Sequence, residues 1–378
     1  MIASSEQALI RDTARTFAAE RLRPFAAERD RAGKFPADAV AEMAKLGYLG
    51  MLVPERYDGA GADHVSYALA MEEVAAGDGA CSTIMGVHNS TGCVPVLRFG
   101  TEEQKQRFLK PMARGEQLAA FCLTEPEAGS EASAIRTRAQ KRGNRYVLNG
   151  TKQFITGGAN ADLAIVFAVT DPAAGKKGIS AFIVPTDTAG YRVAKLETKL
   201  GQRASDTAQI VFEELGLTPD LMLGEEGAGY RIALANLEGG RIGIAAQSIG
   251  MARAAYEAAL AYAKERTAFG TAIINHQAVA FRLADMATGI EVARQMMLHA
   301  AVLRDAGEPC IKQASMAKLF ASEMAERVCS GAIQTLGGYG YLADFPVERI
   351  YRDVRVTQIY EGTSDIQRLV ISREIACE

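Results

Sequence analysis

The apolar positions fall into three regimes along the chain. From Ser4 to about Leu118 they recur at helical spacing: Leu9, Ile10, Ala14 and Phe17 share one face behind a Ser4/Gln7 pair that fits a capping box. Pro36 predicts the opening of a second helix, running through Val40, Met43 and Leu46 to a stop at Gly47. Residues 53–61 are rich in turn formers and read as a loop, and another helix is expected over 67–76. After the Gly77-Asp78-Gly79 break, residues 80–97 are small and apolar, which suits a buried helix. Thr101 with Gln104 then caps a short charged helix ending near Gly115.

Around residue 119 the period changes from helical to strand-like. Phe121-Cys122-Leu123 opens this regime, and 145–156 reads as two strands joined at Asn149-Gly150, a strong hairpin signal. Apolar runs at 163–169, 179–184 and 207–212 follow, so a compact antiparallel sheet or barrel is expected. Beyond the glycines at 224–229 the helical period returns. It predicts one helix over 237–269, a second from about 276 to Ala306, a third over 311–336 and a fourth from Ser364, together a four-helix bundle. The organisation read from the pattern is an N-terminal helical domain (1–118), a central β domain (119–227) and a C-terminal helical bundle (228–378), an α+β multidomain chain.

Composition narrows the function more than the fold. With 378 residues, 48% hydrophobic and 23% charged, the chain has material for more than one core. A formal net charge of −3 offers nucleic acid no whole-chain attraction. No apolar run reaches the ~18 residues of a membrane span, and the start, with Glu6 and Asp12 among its arginines, lacks a signal peptide's apolar block. A cytoplasmic location is expected. The six cysteines form no C-x-x-C pair and the four histidines show no ligand spacing, so neither a disulfide framework nor a metal is implied.

Among glycine-rich stretches, Glu127-Ala128-Gly129-Ser130, Gly157-Gly158 and Leu336-Gly337-Gly338-Tyr339-Gly340 lack G-x-G-x-x-G spacing after a strand, which disfavours a nicotinamide site. Neither a phosphate loop nor a nucleophile elbow is present. What remains is a sheet carrying the hydroxyls Thr124, Ser130 and Thr156, arginines read as lying at helix ends (Arg241, Arg266), and Glu361. Glu361 follows two bulky residues read as extended and precedes Gly362, beside which backbone or ligand can approach closely. Ser364 with Gln367 fits a capping box, and Ile366, Leu369 and Val370 give the helical stripe behind it. Glu361 is thus aimed at a helix N-terminus, a place that suits a phosphate, a flavin oxygen or a developing oxyanion. It also suits an acidic side chain that merely favours the dipole, and both readings stay open on local pattern.

Five motifs in order carry a resemblance over essentially the whole chain. They are Phe121-Cys122-Leu123-Thr124-Glu125-Pro126-Glu127-Ala128-Gly129-Ser130, then Gln153-Phe154-Ile155-Thr156, then Arg266-Thr267-Ala268-Phe269-Gly270 with Gln277, then Gln334-Thr335-Leu336-Gly337-Gly338, and last Tyr360-Glu361-Gly362-Thr363-Ser364. Together they resemble the acyl-CoA dehydrogenase flavoproteins, most closely the short-chain and short-branched-chain members. The resemblance implies FAD as cofactor. Phe121, Leu123, Thr124, Ser130, Phe154, Ile155 and Thr156 would line the flavin, with Thr124 and Thr156 donating to it. Arg266, Phe269 and Gln277 would reach a neighbouring subunit's FAD. Gln334, Leu336, Gly337 and Gly338 would meet its adenosine and pyrophosphate side, and Thr363 and Ser364 its phosphate or ribityl oxygens.

For the substrate, an acyl-CoA thioester, the resemblance implies contacts from Ser130, Glu238, Arg241, Tyr360 and Gly362, with Glu361 as the base that takes the α-proton. Two departures stand out. The family usually has Trp where this chain has Phe154, and the chain contains no Trp. Some branches place the acid directly before the arginine of the Arg241 helix, where this chain has Gly240, so Glu238 is read as lining the CoA path and Glu361 as the base. The expected partner is an electron-transferring flavoprotein. An acyl-CoA oxidase using oxygen is the alternative on the same fold; a noncatalytic or nucleic-acid-binding relative would lack the base or carry a basic extension, unlike this chain. Because Arg266 and Gln277 would serve a neighbour, a homotetramer built as a dimer of dimers is expected.

Overall fold

A computed structural model of the chain describes residues 3–378, apart from the side chains of Leu237 and Glu238. The first helix, Ser5–Phe17, is closed by the reciprocal cap its sequence signals: Gln7 N donates to Ser4 Oγ at 3.1 Å and Ser4 N to Gln7 Oε1 at 3.0 Å. His64–Gly77 is buried almost throughout and ends at Asp78, whose extended backbone breaks the helix. The Asp78 carboxylate then caps the next helix, Gly79–Val87, accepting from Ala80 N at 2.9 Å and Cys81 N at 3.3 Å. One acidic residue therefore ends one buried helix and starts another.

Among the described residues the central sheet has eight strands: β1 Ala119–Cys122, β2 Arg138–Arg142, β3 Arg145–Thr156, β4 Leu163–Val169, β5 Ile179–Pro185, β6 Tyr191–Leu196, β7 Thr207–Leu217 and β8 Met222–Leu223. Their order is β6-β7-β3-β2-β4-β5-β8, with β1 on β4. The expected antiparallel sheet is instead mixed, because β1 and β2 both run parallel to β4. The expected hairpin at Asn149-Gly150 is a bulge inside the single strand β3, and the turn lies two residues earlier than β3, at Gly143-Asn144 between β2 and β3. Asn149 spends its side chain on the neighbouring strand β7, donating to Glu214 Oε1 at 2.8 Å and accepting from Glu214 N at 2.9 Å. Its amide therefore stabilises a bulge where the dipeptide alone signals a reversal.

In the C-terminal part the helices are Gly229–Glu265, Gln277–Asp305, Ile311–Leu336 and Ser364–Ala376, joined by an unanticipated fifth, Pro346–Val354. The long first helix begins earlier than its apolar period suggests, so Arg241 lies inside it rather than at an end. It also stops at Glu265: Thr267-Ala268 pairs antiparallel with Thr271-Ala272, and the chain reverses at Phe269-Gly270, both in left-handed conformation. β-branched threonines flanking a glycine favour this small hairpin over two more helical turns.

Two cores result. Buried residues of the sheet, such as Phe167, Phe182 and Phe212, form one. The N-terminal helices and the C-terminal bundle share the other, in which Tyr67, Met71 and Val74 pack with Ile242, Ile249, Met286 and Met324. Ion pairs lock the same junction: Arg253 and Arg294 both donate to the buried Glu72 carboxylate, and Arg253 also to Glu73 at 2.6 Å. The two ends of the chain thus make one helical body against which the sheet is set. Among the described residues no helix is long and apolar enough to cross a membrane.

Candidate active site

A cavity of about 740 Å³ opens where the three parts meet. The N-terminal helices line it with Tyr67, Met71 and Thr83, the sheet with Phe121, Leu123, Thr124, Ser130, Phe154 and Thr156, and the bundle with Arg241, Tyr360, Glu361 and Gly362. Most of the expected cofactor and substrate residues of the first, second and fifth motifs therefore converge on one space.

The sheet wall is built by a buried ion pair. Lys152, fully buried, lies 2.7 Å from Glu125 and donates to Leu123 O at 3.0 Å, while Glu125 also accepts from Thr137 N at 3.0 Å. Gln153 N donates to Thr124 O at 2.8 Å. These contacts clamp the segment carrying Thr124 and Ser130 beside the end of β3, where Phe154 adopts a left-handed backbone (φ 59°). Its ring is 63% exposed and faces the cavity rather than a core. Ile155, expected on the flavin, points the other way and is buried in the sheet core. Strand alternation dictates this, since neighbours in a strand face opposite sides.

The opposite wall carries the acid. Ile359 and Tyr360 are not extended as expected: a 3-10 turn over Arg355–Gln358 leads into them, and the chain then passes through two successive left-handed residues, Glu361 (φ 51°) and Gly362 (φ 92°). A left-handed non-glycine residue is costly and persists only where surroundings enforce it. Here Gln367 Nε2 donates to Glu361 O at 3.2 Å and Gly362 O at 2.9 Å, and Lys318 Nζ donates to Gly362 O at 2.8 Å. Gln367 is thereby withdrawn from the expected capping box. The cap is Thr363, whose Oγ1 accepts from Ile366 N at 3.3 Å. Ser364 lies one position inside the helix, its Oγ buried with no partner among the described residues.

Glu361 is half-buried, and its Oε2 is shielded from solvent with no hydrogen-bond partner among the described residues. Burial pushes its carboxyl up to about 7, against the pull of the Lys318 and Arg241 charges. The carboxylate occupies the room left by Gly240: a Cβ there would stand 1.9 Å from Oε2. Beside it, Tyr360 donates to Gln247 Oε1, and Gln247 Nε2 donates to Thr83 Oγ1 at 2.6 Å and Ser82 Oγ at 2.9 Å. Tyr67, fully buried, brings an unpartnered hydroxyl to the same space, and burial with the nearby Glu361 charge holds its phenol well above the usual range.

Sequence reasoning did not single out Lys318, Gln247 or Tyr67, and it named Gln367 only as a capping-box partner of Ser364. A lysine or tyrosine within a helical stripe gives no local sign of burial. Glu238, expected on the CoA path, has a side chain outside the described residues.

The third and fourth motifs lie elsewhere. Arg266, Leu336, Gly337 and Gly338 line a separate cavity of about 550 Å³. Phe269 is 98% exposed, and Gln277 and Gln334 are also at the surface. Within one chain these residues do not reach the Glu361 cavity. Among the described residues no group of three or more His, Cys, Asp or Glu converges as a metal site would require, and the six cysteines are free.

Profiles of the acyl-CoA dehydrogenase N-terminal, middle and C-terminal domains match residues 4–116, 120–215 and 227–376. The chain is similar to the mitochondrial short-chain specific acyl-CoA dehydrogenase of Bos taurus, with 47% identity over 96% of this chain and 88% of that protein. Its fold is similar to butyryl-CoA dehydrogenase from Megasphaera elsdenii, with a TM-score of 0.98 and 41% identity over 100% of this chain and 99% of that one. It is equally similar, at a TM-score of 0.98 and 44% identity over all of both chains, to a chain from a solved structure described as the electron transferring flavoprotein of Acidaminococcus fermentans.

Proposed function

The chain belongs to the acyl-CoA dehydrogenase family, FAD-dependent oxidoreductases, and from that premise we propose that it dehydrogenates a short or short-branched acyl-CoA to the trans-2-enoyl-CoA, with Glu361 as base. The observation that carries this is the Glu361 carboxylate, whose Oε2 is shielded and unpartnered and which lines the same cavity as the Phe154 ring and the hydroxyls of Thr124, Ser130 and Thr156. An acid held near neutral matches an activated α-proton far better than an ordinary glutamate at ~4.3.

The residues present fit a flavin. An exposed aromatic held in a strained left-handed conformation offers a stacking face, three hydroxyls supply donors at its edge, and the orphaned Ser364 Oγ lies at a helix start suited to a phosphate or ribityl oxygen. FAD, when bound, supplies the acceptor for the hydride that leaves the β carbon. The chain's own work is to orient and deprotonate. Gly362 leaves room for the thioester, Glu361 takes the α-proton as the α–β double bond forms, and the Glu361 backbone N–H donates to the thioester oxygen as charge builds there. The Arg241 guanidinium, buried on the cavity wall, favours the carboxylate form before the proton is taken.

The separation of the Arg266 cavity from the Glu361 cavity supports an oligomer in which one copy's Arg266, Phe269, Gln277 and Gly337-Gly338 complete another copy's flavin site, a homotetramer as dimer of dimers. The exposure of Phe269 supports the same reading. The likeness to a chain from an electron transferring flavoprotein structure supports such a protein as the electron acceptor. Anaerobic mixing of flavin-loaded enzyme with acyl-CoAs of increasing length tests the proposal: the flavin should bleach fastest with butyryl-CoA or a short branched thioester. Absence of bleaching would refute the reaction, and a long-chain optimum the substrate class.

A further inference from the structure

Lys318 is a fully buried cation that the reaction as described does not use. It sits in the Ile311–Leu336 helix between Ser315 and Ser322, and none of the three has exposed surface. A buried ammonium is costly unless it is hydrogen-bonded and paired. Two features compensate it. Its Nζ donates to the carbonyl of Gly362 at 2.8 Å, and its charge interacts with the Glu361 carboxylate.

The carbonyl it holds belongs to the second of two successive left-handed residues. Gln367 Nε2 holds the same carbonyl at 2.9 Å and that of Glu361 at 3.2 Å, so the strained turn is gripped from the bundle interior by Lys318 and from its own helix by Gln367. We propose that Lys318 is a positioning residue for the base: its buried ammonium anchors the left-handed Glu361-Gly362 turn that carries the Glu361 side chain into the cavity. This rests on the reading of Glu361 as the base.

The charged and titratable groups facing Glu361 come from four elements: Lys318, Arg241 on the long helix, Tyr67 on the His64–Gly77 helix, and Tyr360 on its own segment. Lys318 and Arg241 are the two that favour its ionised form; burial opposes them, and the carboxyl is held at about 7. The Lys318 ammonium is itself brought down to about 8, chiefly by burial and also by Arg241, with Glu361 and Glu323 opposing the fall. Removing Lys318 takes away one of two stabilising charges, so Glu361 should hold its proton to higher pH. A purely structural lysine would change folding or flavin retention without moving that ionisation.

The test is the pH profile of kcat/KM with butyryl-CoA and an artificial electron acceptor, measured on flavin-loaded wild type, Lys318→Met, Lys318→Gln and Glu361→Gln. In wild type, activity should rise with pH through about 7. In both Lys318 variants the rising limb should move to higher pH, because a charge that favours the Glu361 carboxylate has been removed and the turn that holds it has lost its anchor. Lys318→Gln retains a donor for Gly362 O and should melt nearer to wild type than Lys318→Met. An unmoved limb in either variant would overturn the proposal, as would failure of both to fold, which would leave Lys318 purely structural. Turnover surviving in Glu361→Gln would instead overturn the base assignment, a separate failure.

Discussion

Gly240→Ala separates the stability of the fold from the placement of the base. In an ordinary buried helix the change favours the folded state by up to about 1 kcal/mol, because alanine loses less backbone entropy. Here the new Cβ would stand 1.9 Å from Glu361 Oε2, whereas ordinary contact begins at 3.4 Å, so the oxygen must retreat by about 1.5 Å. The atom displaced is the end of a side chain, which makes the move cheap for the fold and expensive for the chemistry. A misplacement of about 1 Å costs on the order of 10²-fold in rate. The expected result is a melting temperature at or above wild type, full flavin content, and kcat/KM with butyryl-CoA lower by about two orders of magnitude. Gly239→Ala is the matched control, since its Cβ would meet nothing within 4 Å. Wild-type turnover in Gly240→Ala, or equal loss in Gly239→Ala, would refute this account of why glycine stands at 240.

The other predictions use the same site. Glu361→Gln should keep its flavin and lose about 10²- to 10⁴-fold in turnover, the usual share of a general base; in wild type the loss on acidification should centre near 7, because the reactive form is the carboxylate and burial has raised its protonation point. Phe154→Ala should fold normally, since the ring is 63% exposed, yet retain less FAD, as the ratio of flavin to protein absorbance would report. Arg266→Ala and Glu361→Gln subunits, each inactive alone, should regain part of their activity when co-assembled, because a mixed pair contains one site with an intact Glu361 and an intact neighbouring Arg266. Light scattering that finds a monomer with a full complement of flavin would sink that reading.

What the sequence determined by itself is what neighbouring residues decide together. The Ser4/Gln7 and Thr101/Gln104 caps form as their spacing requires, and the Ile311–Leu336 helix has the bounds its apolar period predicts. The buried strands at Leu163–Val169 and Ile179–Pro185 are legible as apolar runs, and the order of five motifs was enough to point to the family. Each of these signals lies within a few residues of its effect.

Tertiary structure decided the rest, and always through a partner distant in the chain. Asn149-Gly150 became a bulge because Glu214 occupies the asparagine side chain. Gln367 left its capping box because two carbonyls in a left-handed turn needed a donor. Lys318 reads like any exposed helical lysine until the fold buries it against Gly362. The acid itself was visible at 361, but the property that makes it a base was not. Its raised protonation point comes from burial among Tyr67, Arg241 and Lys318, on three helices brought from both ends of the chain, and desolvation depends on what surrounds a group in space rather than in sequence.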